Sequence, residues 1–151
     1  MLALRNLRVL LVEDDPELAR TVERVLSRYG HVTVVVSSVA AAEALVESFD
    51  CGILDIDLPD GSGVHLAESL LDRGQVGAVV FFSASTNADV VAEAGEIGPF
   101  VAKAAGTREL ERALADAVSC AARQVAGSER TEGGPHRRTK SGARRKTNGS
   151  Q

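Results

Sequence analysis

A chain of 151 residues that is 44% hydrophobic can bury the core of one ordinary domain, and is too short for two comfortable ones. Aromatics make up 3%, so that core must come from Val, Leu and Ala, and no apolar run approaches the roughly 18 residues a membrane span needs. The net charge of −4 hides an asymmetry: residues 127–151 hold seven Lys or Arg against two Glu, whereas residues 1–126 hold ten against nineteen acids. The start, MLALRNLRVLLVEDD, runs straight into acids with no small-residue cleavage site, so a cytoplasmic chain is expected. Cys51 and Cys120 are too few for a disulfide framework or a metal site and read as buried or idle reduced thiols.

Arg8–Val12 (RVLLV) is a nearly continuous apolar run, as in a strand covered on both faces. A helix follows at once. Asp15 suits its cap, Pro16 its first position and Glu17 its positive end. Leu18, Val22, Val25, Leu26 and Tyr29 recur at helical spacing, and Gly30 ends the helix. His31–Val36 is β-branched and reads as the second strand. Ala40–Phe49 is expected as a helix capped by Ser37 or Ser38, and Cys51–Ile56 as the third strand. Val64–Leu71 reads as a helix, Val76–Phe82 as the fourth strand, Asn87–Ala94 as a short weak helix and Phe100–Ala102 as the fifth strand. Thr107 caps a last helix with an inner face of Leu110, Ala113, Leu114, Ala117, Val118 and Ala121. The segment from Gly127 on has no Val, Ile, Leu, Met or aromatic residue, so a disordered basic tail over 127–151 is expected beside a domain over 1–126.

These are five β–α units, which imply an α/β fold: a doubly wound, parallel five-stranded sheet with helices on both faces. Ligands of such sheets sit at the carboxyl ends of the strands, near the point where strand order reverses. The first strand ends in Glu13, Asp14 and Asp15, the third in Asp55, the fourth in Ser83 and the fifth in Lys103. Carboxylates gathered there repel one another. A hard cation such as Mg²⁺, which favours carboxylate oxygens and water, relieves that repulsion. Lys103 adds a point charge and Ser83 a hydrogen-bond donor. The set suits phosphoryl transfer, where positioning and charge neutralisation dominate.

The segments RVLLVEDDPELA and GILDIDLPDGSG, the pair Ser83–Ala84 and FVAK at Phe100–Lys103 together resemble the receiver domains of bacterial two-component response regulators, over about residues 8–120. The resemblance implies a flavodoxin-like receiver fold and a signalling phosphoacceptor rather than a turnover enzyme. Asp55 would take a phosphoryl group from the phosphohistidine of a sensor histidine kinase or phosphotransfer protein. Mg²⁺ would be held by Glu13, Asp14, Asp55 and the backbone carbonyl of Asp57. Lys103 and Ser83 would contact phosphoryl oxygens, and Ser83 and Phe100 would form the switch. Output would pass through the face made by the fourth helix, fifth strand and fifth helix.

Three departures stand out. Ala104 follows Lys103 where the family usually has proline, so a trans bond is expected, a cis bond before alanine costing about 2.5–4 kcal/mol. The stretch from Ser83 to Lys103 is short for the family. Asp57 sets an extra carboxylate beside Asp55; its position and that of Ser85 tune phosphate lifetime in the family. The rival readings are a receiver that binds a partner without phosphate, and a haloacid-dehalogenase-like phosphatase with Asp55 as nucleophile and Asp57 as acid. The latter family carries its DxD on the first strand, whereas here two units precede Asp55. No effector domain fits in the tail, so a stand-alone receiver acting through protein contacts is expected. Seven bases without aromatics would give at most weak, unspecific contact with nucleic acid or an anionic membrane.

Overall fold

A computed structural model describes residues 6–133. Its element order is β1 (Arg8–Val12), α1 (Pro16–Arg28), β2 (Val32–Val36), α2 (Val39–Glu43), β3 (Cys51–Leu54), a two-residue ladder of β4 (Asp57–Leu58) and β5 (Gly61–Ser62), then α3 (Gly63–Asp72), β6 (Val79–Ser83), α4 (Ala88–Ile97), β7 (Phe100–Ala102), a 3₁₀ turn (Lys103–Ala105) and α5 (Thr107–Gly133). The main sheet runs β2-β1-β3-β6-β7, all parallel. Strand order reverses between β1 and β3, so their carboxyl ends frame the crevice where such folds bind ligands.

Strand alternation divides the core. Leu10, Val12, Leu54, Val79 and Phe81 join one cluster with Ala42 of α2, Val64, Leu66, Ala67 and Leu70 of α3, and Ala94 of α4. Val9, Leu11, Ile53, Val80 and Phe82 are equally buried and lie between them in sequence, so they face the opposite side. Val22 and Leu26 of α1 and Leu110 and Leu114 of α5 are also buried and lie outside that cluster. This two-sided burial is why the strands read as continuous apolar runs rather than alternating ones.

Helix starts follow local chemistry. Asp15 Oδ1 accepts from the N–H of Glu17 and Leu18, and Asn87 Oδ1 from Asp89 and Val90. Ser38 and Ser62 cap α2 and α3. Several expected limits are corrected. The helix expected over Ala40–Phe49 stops at Glu43. The Gln75 side-chain amide takes the carbonyls of Leu45 and Glu47, and Phe49 bridges Val76, so the backbone beyond Ala44 is drawn away from helical bonding. The same bridge leaves Val76 outside β6, which begins at Val79 rather than Val76. The second strand begins at Val32 rather than His31, and the third ends at Leu54, two residues short of Ile56. The weak helix expected over Asn87–Ala94 is a regular one reaching Ile97. α5 stays helical past Gly127 to Gly133, into the segment expected as tail; residues 134–151 lie outside the described residues. Contacts group the chain into one unit up to Val118 and another from Ser119. No helix of the described residues is long and apolar enough to cross a membrane.

Candidate functional site

The carboxyl ends of β1, β3, β6 and β7 bring Glu13, Asp14, Asp55, Ser83 and Lys103 together. Asp55 follows β3 directly and is buried, as are Glu13 and Ser83, while Asp14 is exposed. Asp15 is occupied in capping α1, and its N–H donates to Glu13 Oε2 at 3.1 Å. The acidic run thus divides into a cap and two carboxylates at the crevice. Glu13, Asp14 and Asp55 each offer an oxygen, all within 4.8 Å of one another.

Both oxygens of Asp55 are engaged. Oδ2 lies 2.9 Å from Lys103 Nζ. Oδ1 accepts from Ser83 Oγ at 2.8 Å and from the Asp57 N–H at 3.4 Å. The Ser83 hydroxyl in turn accepts from the N–H of Ile56 and of Ser85. Lys103 Nζ also reaches Glu13 Oε1 at 3.1 Å. The Lys103–Ala104 bond is trans, and Lys103 still arrives at Asp55 through the 3₁₀ turn that follows β7.

The charges explain the protonation tendencies. Burial pushes the Glu13 carboxyl above its usual range, against the Asp15 N–H and Lys103, which favour the charged form. Burial alone would depress Lys103, but hydrogen bonds and charges from Asp55 and Glu13 together hold its ammonium above the usual range. One ammonium against three carboxylates leaves an excess of negative charge in a partly buried crevice. An all-oxygen set of this kind fits a hard divalent cation such as Mg²⁺, with water completing its coordination. The structure therefore supplies the donor chemistry that Mg²⁺ requires.

Close packing fixes the acceptor loop. Gly63 opens α3 against Asp55: a Cβ there would lie 1.9 Å from the Asp55 carbonyl oxygen. Its N–H donates to Ile56 O at 2.8 Å. Of the remaining expected residues, Asp57 is exposed on β4, and Phe100 is half-buried on β7 opposite Phe81, outside the acidic cluster. Sequence reasoning passed over Asp60. Its carboxylate accepts from the N–H of Val39 at 2.8 Å and Ala40 at 3.0 Å, tying the acceptor loop to the start of α2. The turn signal Pro59-Asp60-Gly61 was readable, but not the distant partner. It also passed over the tie between buried His31 and Glu111, 3.6 Å apart.

The model of the response regulator receiver domain matches residues 9–115. The chain belongs to that family. Among curated relatives of this receiver, the transcriptional regulatory protein DpiA of Escherichia coli (strain K12) is 33% identical over 98 residues, 62% of this chain and 43% of DpiA. The chain thus spans less than half the length of that relative. Among solved structures, the non-phosphorylated HemR receiver domain from Leptospira biflexa aligns with a TM-score of 0.65 at 30% identity, covering 74% of this chain and 94% of HemR's. The response regulator TrrA from Thermotoga maritima, at 20% identity, shares the fold with a TM-score of 0.62, covering 70% of this chain and 93% of that one. The expected flavodoxin-like α/β receiver fold is the observed one.

Proposed function

We propose that residues 1–126 act as a phosphorylation switch whose acceptor is Asp55, charged by the phosphohistidine of a sensor histidine kinase or a phosphotransfer protein. The observation that carries this reading is Asp55 itself. It is a buried carboxylate held by Lys103 and Ser83 and faced by the two acids Glu13 and Asp14. In the transfer, an Asp55 oxygen forms the new O–P bond as the histidine N–P bond breaks, and the electron pair of that bond leaves with the imidazole nitrogen. Ser83 and the Asp57 N–H orient one carboxylate oxygen, while Lys103, already on the other, follows the phosphoryl oxygens. Glu13, Asp14, Asp55 and the Asp57 carbonyl would hold Mg²⁺, which neutralises charge on the transferring group. The name under which TrrA was solved, a complex with Mg²⁺ and BeF, supports this cofactor. Ser83 and Phe100 form the switch in this reading, and the α4–β7–α5 face carries the output to a protein target. The chain then works as a signalling acceptor, not a turnover enzyme.

The reach of Lys103 to Asp55 despite Ala104 favours this reading over a phosphate-independent receiver. The test is intact mass after treatment with acetyl phosphate. A gain of about 80 Da that requires both Mg²⁺ and Asp55, and is absent from Asp55→Ala, is the expected outcome. No gain from acetyl phosphate or from any histidine kinase offered would sink the proposal.

A further inference from the structure

Among the described residues β2 is an edge strand of the sheet and pairs with β1 alone. The Val32 N–H donates to Leu7 O, and Val36 O accepts from the Glu13 N–H, so the alternate residues Val32, Val34 and Val36 turn their backbone groups toward β1. The N–H and C=O of Thr33 and Val35 therefore point outward. An edge of this kind is commonly blunted by charge or proline. β2 reads VTVVV and has neither, and Val32 is 56% exposed.

Beside this edge runs a groove of about 710 Å³ between α1 and β2. Arg20, Arg24 and Arg28 line it from α1, at four-residue spacing that sets them on one side of the helix. None of the three has an ion-pair partner among the described residues, and Glu23 is the one acid in the lining. Thr33 lines it from β2, with a buried Oγ1 that has no hydrogen-bond partner among the described residues.

We infer that this edge binds an extended acidic segment of a partner protein, which adds to the sheet as a sixth strand beyond β2 and lays its carboxylates along the arginine row. The open backbone groups supply the pairing, and the arginines select the charge. Charge disfavours the two other candidate occupants. The chain's own residues 127–151 carry seven bases against two acids, and a second copy would set one arginine row against another. The surface is separate from the acidic crevice, and the inference holds whether or not Asp55 accepts phosphate.

The test titrates the full chain into a fluorescein-labelled peptide of alternating Glu and Val, seven residues long by choice, about the length of a typical strand, and reads polarisation. Saturable binding that weakens with salt is expected, with the matching Lys–Val peptide inert. The double variant Arg24→Glu/Arg28→Glu should bind about ten-fold more weakly or worse. Val35→Pro removes an outward N–H that has no partner among the described residues, and should also weaken binding. Unchanged Mg²⁺ response and thermal midpoint in the arginine variant establish that its loss is local. Three results would overturn the inference: no saturable binding, equal binding of the Lys–Val peptide, or wild-type affinity in both variants. Concentration-dependent self-association abolished by Val35→Pro would overturn it too, by giving the edge to a second copy.

Discussion

At the scale of single residues, the acidic crevice is a balance of like charges that one lysine does not close. Glu13, Asp14 and Asp55 approach within 4.8 Å, and Lys103 touches two of them. A cation bound there stabilises the folded chain by mass action, by about 2.7 kcal/mol when its concentration is a hundred times its dissociation constant. The thermal midpoint in Mg²⁺ should therefore exceed that in EDTA. Asp14→Ala should remove the difference, because Asp14 is exposed and its loss leaves the core intact. An unchanged Mg²⁺ effect in that variant would place the ion elsewhere. Gly63 makes a second residue-scale prediction. An alanine Cβ would overlap the Asp55 carbonyl oxygen at 1.9 Å, so Gly63→Ala must shift the acceptor loop. A cost of about 1–3 kcal/mol is expected from this overpacking, measured by denaturant unfolding, together with weaker phosphorylation of Asp55. Glu13, Asp14, Asp55, Ser83 and Lys103 could be picked out from sequence because each ends or follows a strand. Asp60 and the His31–Glu111 tie could not, because their partners are set by tertiary contact rather than by local pattern.

At the scale of elements, the strands and helices with strong local signals appear where the sequence places them. α1 has a cap, an N-terminal proline and a stop at Gly30, whose φ is 87°. β7 is three residues long and falls at Phe100–Ala102 as expected. α2 departs from expectation because its apolar spacing continues to Phe49 while Gln75 and the Phe49–Val76 bridge take over the backbone. Asp60 anchors what remains of that helix. Its carboxyl is held below the ordinary 3.8 by the Ala40 and Val39 N–H groups. A depressed folded value means stability that is present above the unfolded pKa and is lost as pH falls through the folded one. Asp60→Asn should thus lower the thermal midpoint at neutral pH, and the gap from wild type should close as pH drops below 3.8. A gap that persists in acid would show that charge plays no part. In α5, Leu114 is fully buried, and Leu114→Ala should cost about 2–5 kcal/mol of unfolding free energy.

At the scale of the whole molecule, one topological fact organises the function. The reversal of strand order at β1 and β3 puts the end of a doubly covered strand, with its acids, beside the end of the next. Burial on both faces made the sheet legible in sequence as apolar runs, and the crevice legible as the charges that end them. The open β2 edge was not legible, since an exposed edge strand and a central one share the same β-branched composition. The central claim is that Asp55 alone forms the acyl phosphate. It is tested most directly by treating the full chain with acetyl phosphate and Mg²⁺, reducing with borohydride and sequencing the peptides by mass spectrometry. Homoserine at position 55, absent when Mg²⁺ is withheld, is the expected result. Homoserine at position 14 or 57 instead, or at none, would contradict it.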